Sequence, residues 1–132
     1  MTQNLSIHLQ RELRSDHAGE TGAVYIYKGI VAVAKWRGDA EMLSFAKAHG
    51  VTEADHLKQI EHWLPASQRS WLLMPWRLAG WLTGALPALF GRRAVYRTIA
   101  TVETFVYQHY QQQIDQSADL QKNGQANDLQ SQ

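Results

Sequence analysis

Apolar residues recur every three or four positions along most of this chain, the spacing that places them on one face of an α-helix. Alternation of the strand type is weak. Gly38-Asp39 is a turn signal and Pro65 stops a helix, so the first two helices are expected to form an antiparallel hairpin. The pattern predicts an all-α protein of about four helices, roughly at residues 4–36, 40–64, 70–90 and 92–117.

The third predicted helix is unusually apolar. The segment at residues 71–90 is twenty residues long and has a single charged side chain, Arg77. An arginine in the middle of a membrane costs roughly 3 kcal/mol, and two prolines interrupt the stretch, so we expect a helix lying in the membrane interface. A buried core helix is the alternative. The side chains expected to contact the membrane are Trp71, Trp76, Arg77 and Trp81.

Small residues predict where helices approach one another. Three glycines fall inside the first helix, and Gly80 and Gly84 form a small-xxx-small pair in the third. Residues 118–132 offer almost nothing apolar to bury, so a disordered polar tail is expected after a single helical domain at residues 1–117.

The composition of the chain limits the ligands and the locations that it can be expected to have. A net charge of +1 without a basic run argues against nucleic-acid binding. The chain has no cysteine, so a metal site would have to use histidine and carboxylates. The first residues do not resemble a secretory signal, so a peripheral protein on the cytoplasmic face of the inner or cell membrane is expected.

Three of the six glutamates fall on faces that should be buried. Glu20, Glu53 and Glu103 share apolar stripes of the first, second and fourth helices, and His56 lies one turn after Glu53. Burying an unpaired carboxylate costs several kcal/mol, so each needs a proton, a partner or a cation. Glu61, like the remaining glutamates, is expected to be solvated.

The hairpin predicts that two of these stripes meet. Glu20 precedes Gly38 by 18 residues and His56 follows it by 18, so the two should lie at one height in antiparallel helices. A Glu facing Glu-x-x-His is half of the four-helix-bundle site for two iron or manganese ions. Chance occurrence and an ordinary core histidine are the alternatives. His49, one turn before Glu53, is an extra ligand or, preferably, a packing residue, and His17 is expected to orient the turn before Glu20.

Four segments, in order, resemble the motifs of the demethoxyubiquinone hydroxylases, carboxylate di-iron monooxygenases of ubiquinone biosynthesis. These segments are DHAGE at 16–20, EADHL at 53–57, LMPW at 73–76 and VETFVYQHY at 102–110. The resemblance implies a ferritin-like bundle, two iron ions, and hydroxylation of a 2-polyprenyl-3-methyl-6-methoxy-1,4-benzoquinol by dioxygen. The metal ligands it implies are Glu20, Glu53, His56 and Glu103. Contacts with the substrate or with the metal ligands would come from His109, Tyr110, Tyr27 and His49. For His109 and Tyr110, packing is an equal alternative.

The family pattern also places a second Glu-x-x-His on one further helix. Here no Glu follows Glu103 and no His follows His109. We therefore expect an incomplete bundle, truncated at its carboxyl end relative to that pattern, with two, one or no iron ions. The open explanations are a truncated or frameshifted copy, a single-iron remnant, a site completed by a second copy or another ubiquinone-biosynthesis subunit, and a fold that has lost its chemistry. The last corresponds to a non-catalytic quinone-binding or assembly protein at the membrane surface.

Overall fold

A computed structural model describes residues 7–69 and 71–130, which form four α-helices and one short 3-10 helix, with no strand among them. The helices are α1 at Ile7–Arg37, α2 at Ala40–Trp63, α3 at Leu73–Phe90 and α4 at Arg92–Gln130; the 3-10 helix, Ala66–Gln68, lies between α2 and α3. The all-α prediction is confirmed.

The end of α4 differs from the prediction. The sequence pattern predicts an end near residue 117 followed by a disordered tail, but the helix continues to Gln130. Residues 118–130 contain no proline and one glycine, Gly124, and many of the others are good helix formers. Intrinsic propensity therefore extends the helix where no apolar face requires it. The predicted helix positions 4–6 and 70, and the tail positions 131–132, lie outside the described residues.

The contacts divide the chain into two units, Met1–Thr98 and Ile99–Gln132. Within the first unit, α1 packs against both α2 and α3. Because α1 has neighbours on two sides, it buries more than the single stripe that the pattern predicted. Its buried apolar side chains include Val24, Ile26, Tyr27, Ile30, Val33 and Ala34.

Glycines bring α1 and α3 into backbone contact. A Cβ built on Gly84 would collide with the main chain of Ile26, and one built on Gly29 would collide with the main chain of Trp81. A Cβ on Gly80 would lie 2.8 Å from the carbonyl oxygen of Gly22. These collisions confirm the close helix approach that the small residues predicted.

The opposite face of α3 is exposed and apolar. Leu78 is 60% exposed and Leu86 53%, whereas Gly84, Ala85 and Ala88 are buried. The alternative of a fully buried core helix is therefore wrong. None of the described helices combines the length and hydropathy that crossing a bilayer requires.

A polar network joins the start of α2 to the start of α4. Asp39 caps α2 by accepting a hydrogen bond from the Met42 backbone N–H at 3.1 Å, which holds the pKa of the Asp39 carboxyl below its usual value. The Arg92 Nε–H donates to both Asp39 carboxylate oxygens, at 3.0 and 3.1 Å, and lowers that pKa further. The hydroxyl of Tyr96 donates to Glu41, and partial removal from water raises the pKa of Tyr96.

Candidate metal centre

Three potential metal ligands lie at the contact between α1 and α2. Glu20 is on α1 and is 8% exposed, while Glu53 and His56 are one turn apart on α2. Glu53 is partly buried and His56 is about half exposed. We refer to these three side chains as the carboxylate–histidine cluster.

The distances within the carboxylate–histidine cluster are short. Nδ1 of His56 lies 3.8 Å from Oε2 of Glu20 and 3.4 Å from Oε2 of Glu53. One ligand atom from each of the three side chains lies within 4.8 Å of the others. This convergence confirms that Glu20 and His56 lie at one height in the hairpin.

The donor atoms of the carboxylate–histidine cluster fit a divalent ion. First-row metal ions bind carboxylate oxygen and imidazole nitrogen at about 2.0–2.2 Å, so ligand atoms of one ion lie about 3 Å apart. The observed separations extend to 4.8 Å, so the three side chains would have to close around a bound ion. Two carboxylates and one imidazole suit Fe(II) or Mn(II), and with no cysteine in the chain thiolate ligation is excluded.

Glu103 lies in the second unit, where its side chain is exposed. The less exposed stripe of that part of α4 contains Val102, Val106 and Tyr110, one position away from Glu103. A role for Glu103 as a metal ligand stays a prediction.

His109 and Tyr110 are both partly buried in the second unit. The Nε2 atom of His109 lies 3.2 Å from Nε2 of Gln113, and the His109 and Tyr110 rings are 6.1 Å apart. These contacts are compatible with packing, and a role toward substrate remains a prediction for both residues.

Tyr27 and His49 belong to an aromatic group on the same α1–α2 interface. Tyr27 is buried, and its ring stacks on His49 with centroids 5.9 Å apart and planes at 17°. The centroid of the Phe45 ring lies 4.4 Å from that of the His49 ring. His49 nevertheless stays exposed on its other side, because α1 covers α2 along one side only. These ring contacts favour the packing role for His49.

The structure also pairs two residues that the sequence did not pair. Nε2 of His17 lies 3.2 Å from Oε1 of Glu61, and His17 is 1% exposed. The hairpin arithmetic would have found the pair, since His17 precedes Gly38 by 21 residues and Glu61 follows it by 23. Because Glu61 was expected to be solvated, the sequence analysis did not pair it with His17.

The predicted membrane contacts divide into two groups. Trp71 is 87% exposed, whereas the Trp76 indole N–H donates to the carbonyl oxygen of Ala18 at 2.7 Å. Arg77 lies over the ring of Tyr25, 5.7 Å from its centroid. Trp81 is partly buried, with its main chain against α1. Trp76, Arg77 and Trp81 therefore contact α1, and their contact with a membrane stays a prediction, as it does for Trp71.

Comparisons with known proteins agree with the motif order. The family described as ubiquinone biosynthesis protein COQ7 matches residues 7–132. A Bos taurus protein named NADPH-dependent 3-demethoxyubiquinone 3-hydroxylase, mitochondrial, is 35% identical over 108 residues, 80% of this chain and 48% of its own. The Homo sapiens protein of that name is 34% identical over 108 residues, with the same shares of each chain, 80% and 48%. The Dictyostelium discoideum protein is 31% identical over 113 residues, 84% of this chain and 51% of its own.

The chain thus spans about half the length of the curated relatives it matches. No solved structure gives a significant match. A family match over nearly the whole chain, together with the order of the four motifs, leads to one conclusion: the chain belongs to the COQ7 family of demethoxyubiquinone hydroxylases.

Proposed function

We propose that the carboxylate–histidine cluster binds iron and that the chain takes part in dioxygen-dependent hydroxylation of a polyprenyl benzoquinol in ubiquinone biosynthesis. The observation that carries this proposal is the convergence of Glu20, Glu53 and His56 within 4.8 Å across two helices. The names of the relatives, each a demethoxyubiquinone hydroxylase, supply the substrate class and NADPH as the source of electrons.

Each residue of the cluster has a distinct part. Glu20 places a negative charge in a nearly water-free position, where attraction for a cation is stronger than at the surface. Glu53 would supply a second carboxylate to the ion, and His56 would supply a nitrogen ligand one turn further along α2. Bound iron supplies the activation of dioxygen. The protein supplies the ligand geometry and limits access of water to the Glu20 side of the site.

The substrate class is consistent with the exposed face of α3. A polyprenyl tail partitions into lipid, and the apolar side chains of that face can rest in the headgroup boundary. Trp76 joins α3 directly to the segment of α1 that carries Glu20. The exposed face of α3 is thereby held beside the segment of α1 that carries one ligand of the cluster.

Iron binding and turnover in the same preparation test the proposal. The protein is reconstituted anaerobically with Fe(II), and iron per chain and hydroxylation of a short-tailed quinol are measured with dioxygen and NADPH. Glu53→Gln should lose both, while Asp55→Asn, which removes an exposed charge in the same motif, should keep both. A folded wild-type protein that takes up no iron contradicts the proposal; iron binding without turnover contradicts its hydroxylation part.

A second candidate is a non-catalytic membrane-surface protein that binds quinone or assembles with other ubiquinone-biosynthesis subunits or with a second copy. The small number of ligands favours it, since the group found among the described residues contains three. It predicts vesicle and quinone binding that Glu53→Gln leaves unchanged, in protein without iron.

A further inference from the structure

We infer that His17 and Glu61 form a positioning pair that fixes the register of α2 against α1 beside the carboxylate–histidine cluster. The pair crosses the same interface as the cluster, and His17 lies one turn before Glu20 on α1. Its consequence for metal binding rests on the proposed function, but its effect on helix register does not.

The order of contacts along the hairpin supports this assignment. Tyr27 stacks on His49, Glu20 faces His56, and His17 meets Glu61. Each step toward the amino end of α1 is matched by a step toward the carboxyl end of α2. The His17–Glu61 contact therefore continues the register that brings the cluster together.

Within the carboxyl half of α2 apolar burial is limited, and the nearest fully buried apolar side chain is Leu64, directly after the helix. In α2, which the structure describes throughout, the buried residues are Met42 and Ala46, both near its amino end. The half of α2 that carries Glu53 and His56 has no buried apolar side chain. Buried Leu64 fixes the end of that half, and the polar contacts of His17 with Glu61 and of Glu20 with His56 oppose sliding or rotation along it.

The His17–Glu61 contact has the properties that such a role requires. His17 is almost fully enclosed, so its ring has little freedom, and its Nδ1 is buried without a hydrogen-bond partner among the described residues. Nε2 is the ring nitrogen that faces Glu61. Because a carboxylate accepts, the Nε2–H group donates the hydrogen bond across the interface. A polar pair with one favourable geometry specifies register better than apolar contacts, which tolerate sliding. Metal ligands need placement within about 0.5 Å, so a small loss of register weakens binding.

Metal titration and a metal-free distance measurement together test the pair. The probe metal is Co(II), whose visible absorption reports both affinity and ligand geometry. Glu61→Ala removes the acceptor, Glu61→Gln keeps an oxygen acceptor, and His17→Gln keeps a donor. His8→Gln and Glu12→Gln are the matched controls, because that His–Glu pair lies within α1 and crosses no interface.

We expect Glu61→Ala to weaken Co(II) binding roughly tenfold and to change the cobalt spectrum, with helix content retained. Glu61→Gln should restore much of the affinity, and the two control variants should match wild type. Unchanged affinity and spectrum in both Glu61→Ala and His17→Gln would overturn the inference.

The register itself is measured without metal. The chain has no cysteine, so Arg11→Cys on α1 and Lys58→Cys on α2 give one nitroxide pair for pulsed electron paramagnetic resonance. Glu61→Ala should broaden or shift the distance distribution. If wild type binds no Co(II) but the distribution still changes, the proposed function fails and the positioning pair stands. A distribution identical to wild type overturns the positioning pair.

Discussion

The indole N–H of Trp76 in α3 donates to the carbonyl oxygen of Ala18 in α1 at 2.7 Å, two residues before Glu20. The indole also lies on Gly22, where a Cβ would come within 2.9 Å of Nε1. One side chain thus joins the helix with the exposed apolar face to the helix that carries the buried carboxylate. The absence of a side chain at Gly22 makes the room for that contact.

Removing this hydrogen bond should destabilise the contact of α3 with α1. Trp76→Phe keeps an aromatic ring but no N–H, so the free energy of unfolding should fall by about 0.5–1.5 kcal/mol. Trp71→Phe is the control, because Trp71 is 87% exposed, and it should have no measurable effect. Urea denaturation followed by circular dichroism measures both; equal stability of the two variants would contradict the role of the indole N–H.

Substitution by alanine should change the stability of the protein in opposite directions at two glycines, one at the α1–α3 contact and one away from it. Gly84→Ala places a methyl group against the main chain of Ile26, which cannot rotate away, so stability should fall by at least about 1 kcal/mol despite better helix propensity. A methyl group at Gly19 in α1 would meet nothing within 4 Å. Gly19→Ala should therefore raise stability by about 0.5–1 kcal/mol. Thermal unfolding of both variants tests the packing, and stabilisation by Gly84→Ala would refute it.

The cap at Asp39 predicts a pH dependence. The pKa of its carboxyl is lowered in the folded protein, first by the Met42 N–H and then by Arg92, so the folded state holds that proton less tightly than the unfolded chain. The stabilisation is present above the unfolded pKa, near 4, and is lost as pH falls through the lower folded value. Wild type should exceed Asp39→Asn in stability at pH 7, and the difference should shrink below about pH 4. A difference that stays constant with pH would show that the charge does not contribute.

The exposed face of α3 predicts membrane binding. Leu78→Glu should reduce flotation of the protein with vesicles containing anionic lipid, because it places a charge in the apolar patch. Val51→Glu makes the same kind of change at a 63% exposed apolar residue on α2 and should leave flotation unchanged. Equal loss in both variants would indicate general charge repulsion instead of a binding face.

The sequence predicted the hairpin well because its signals are local. The turn at Gly38-Asp39 and the rise of the helix fix which residues of α1 and α2 are level, and this was sufficient to bring Glu20 to His56. Burial was predicted less well, because it depends on which faces have neighbours. His49 lies on an apolar stripe yet is exposed, since α1 covers only one side of α2.

The fourth helix shows the same limit. The stripe that the pattern assigned to Glu103 lies one residue earlier, at Val102, and a shift of one residue turns a side chain by about 100° around a helix. Helix α4 also continues past its predicted end, because Gln, Ala and Lys favour a helix even in a polar segment. Periodicity locates helices, whereas neighbours determine which of their side chains are enclosed.

Neutralising Glu20 separates a metal ligand from a structural ion pair. In metal-free protein, Glu20→Gln keeps the shape of the side chain and removes only a negative charge that lies between Glu53 and His56, so the melting temperature should change little. Its Co(II) affinity should nevertheless fall by a factor of about ten or more. A lower metal-free melting temperature with unchanged affinity would identify the Glu20–His56 contact as a structural pair.

Anomalous diffraction locates the metal most directly. Crystals of protein reconstituted anaerobically with Fe(II) are measured on both sides of the iron absorption edge. We expect an anomalous difference peak bounded by Glu20, Glu53 and His56 in wild type, and none there in Glu20→Gln. A wild-type map with no peak among these three side chains would contradict iron binding by the carboxylate–histidine cluster.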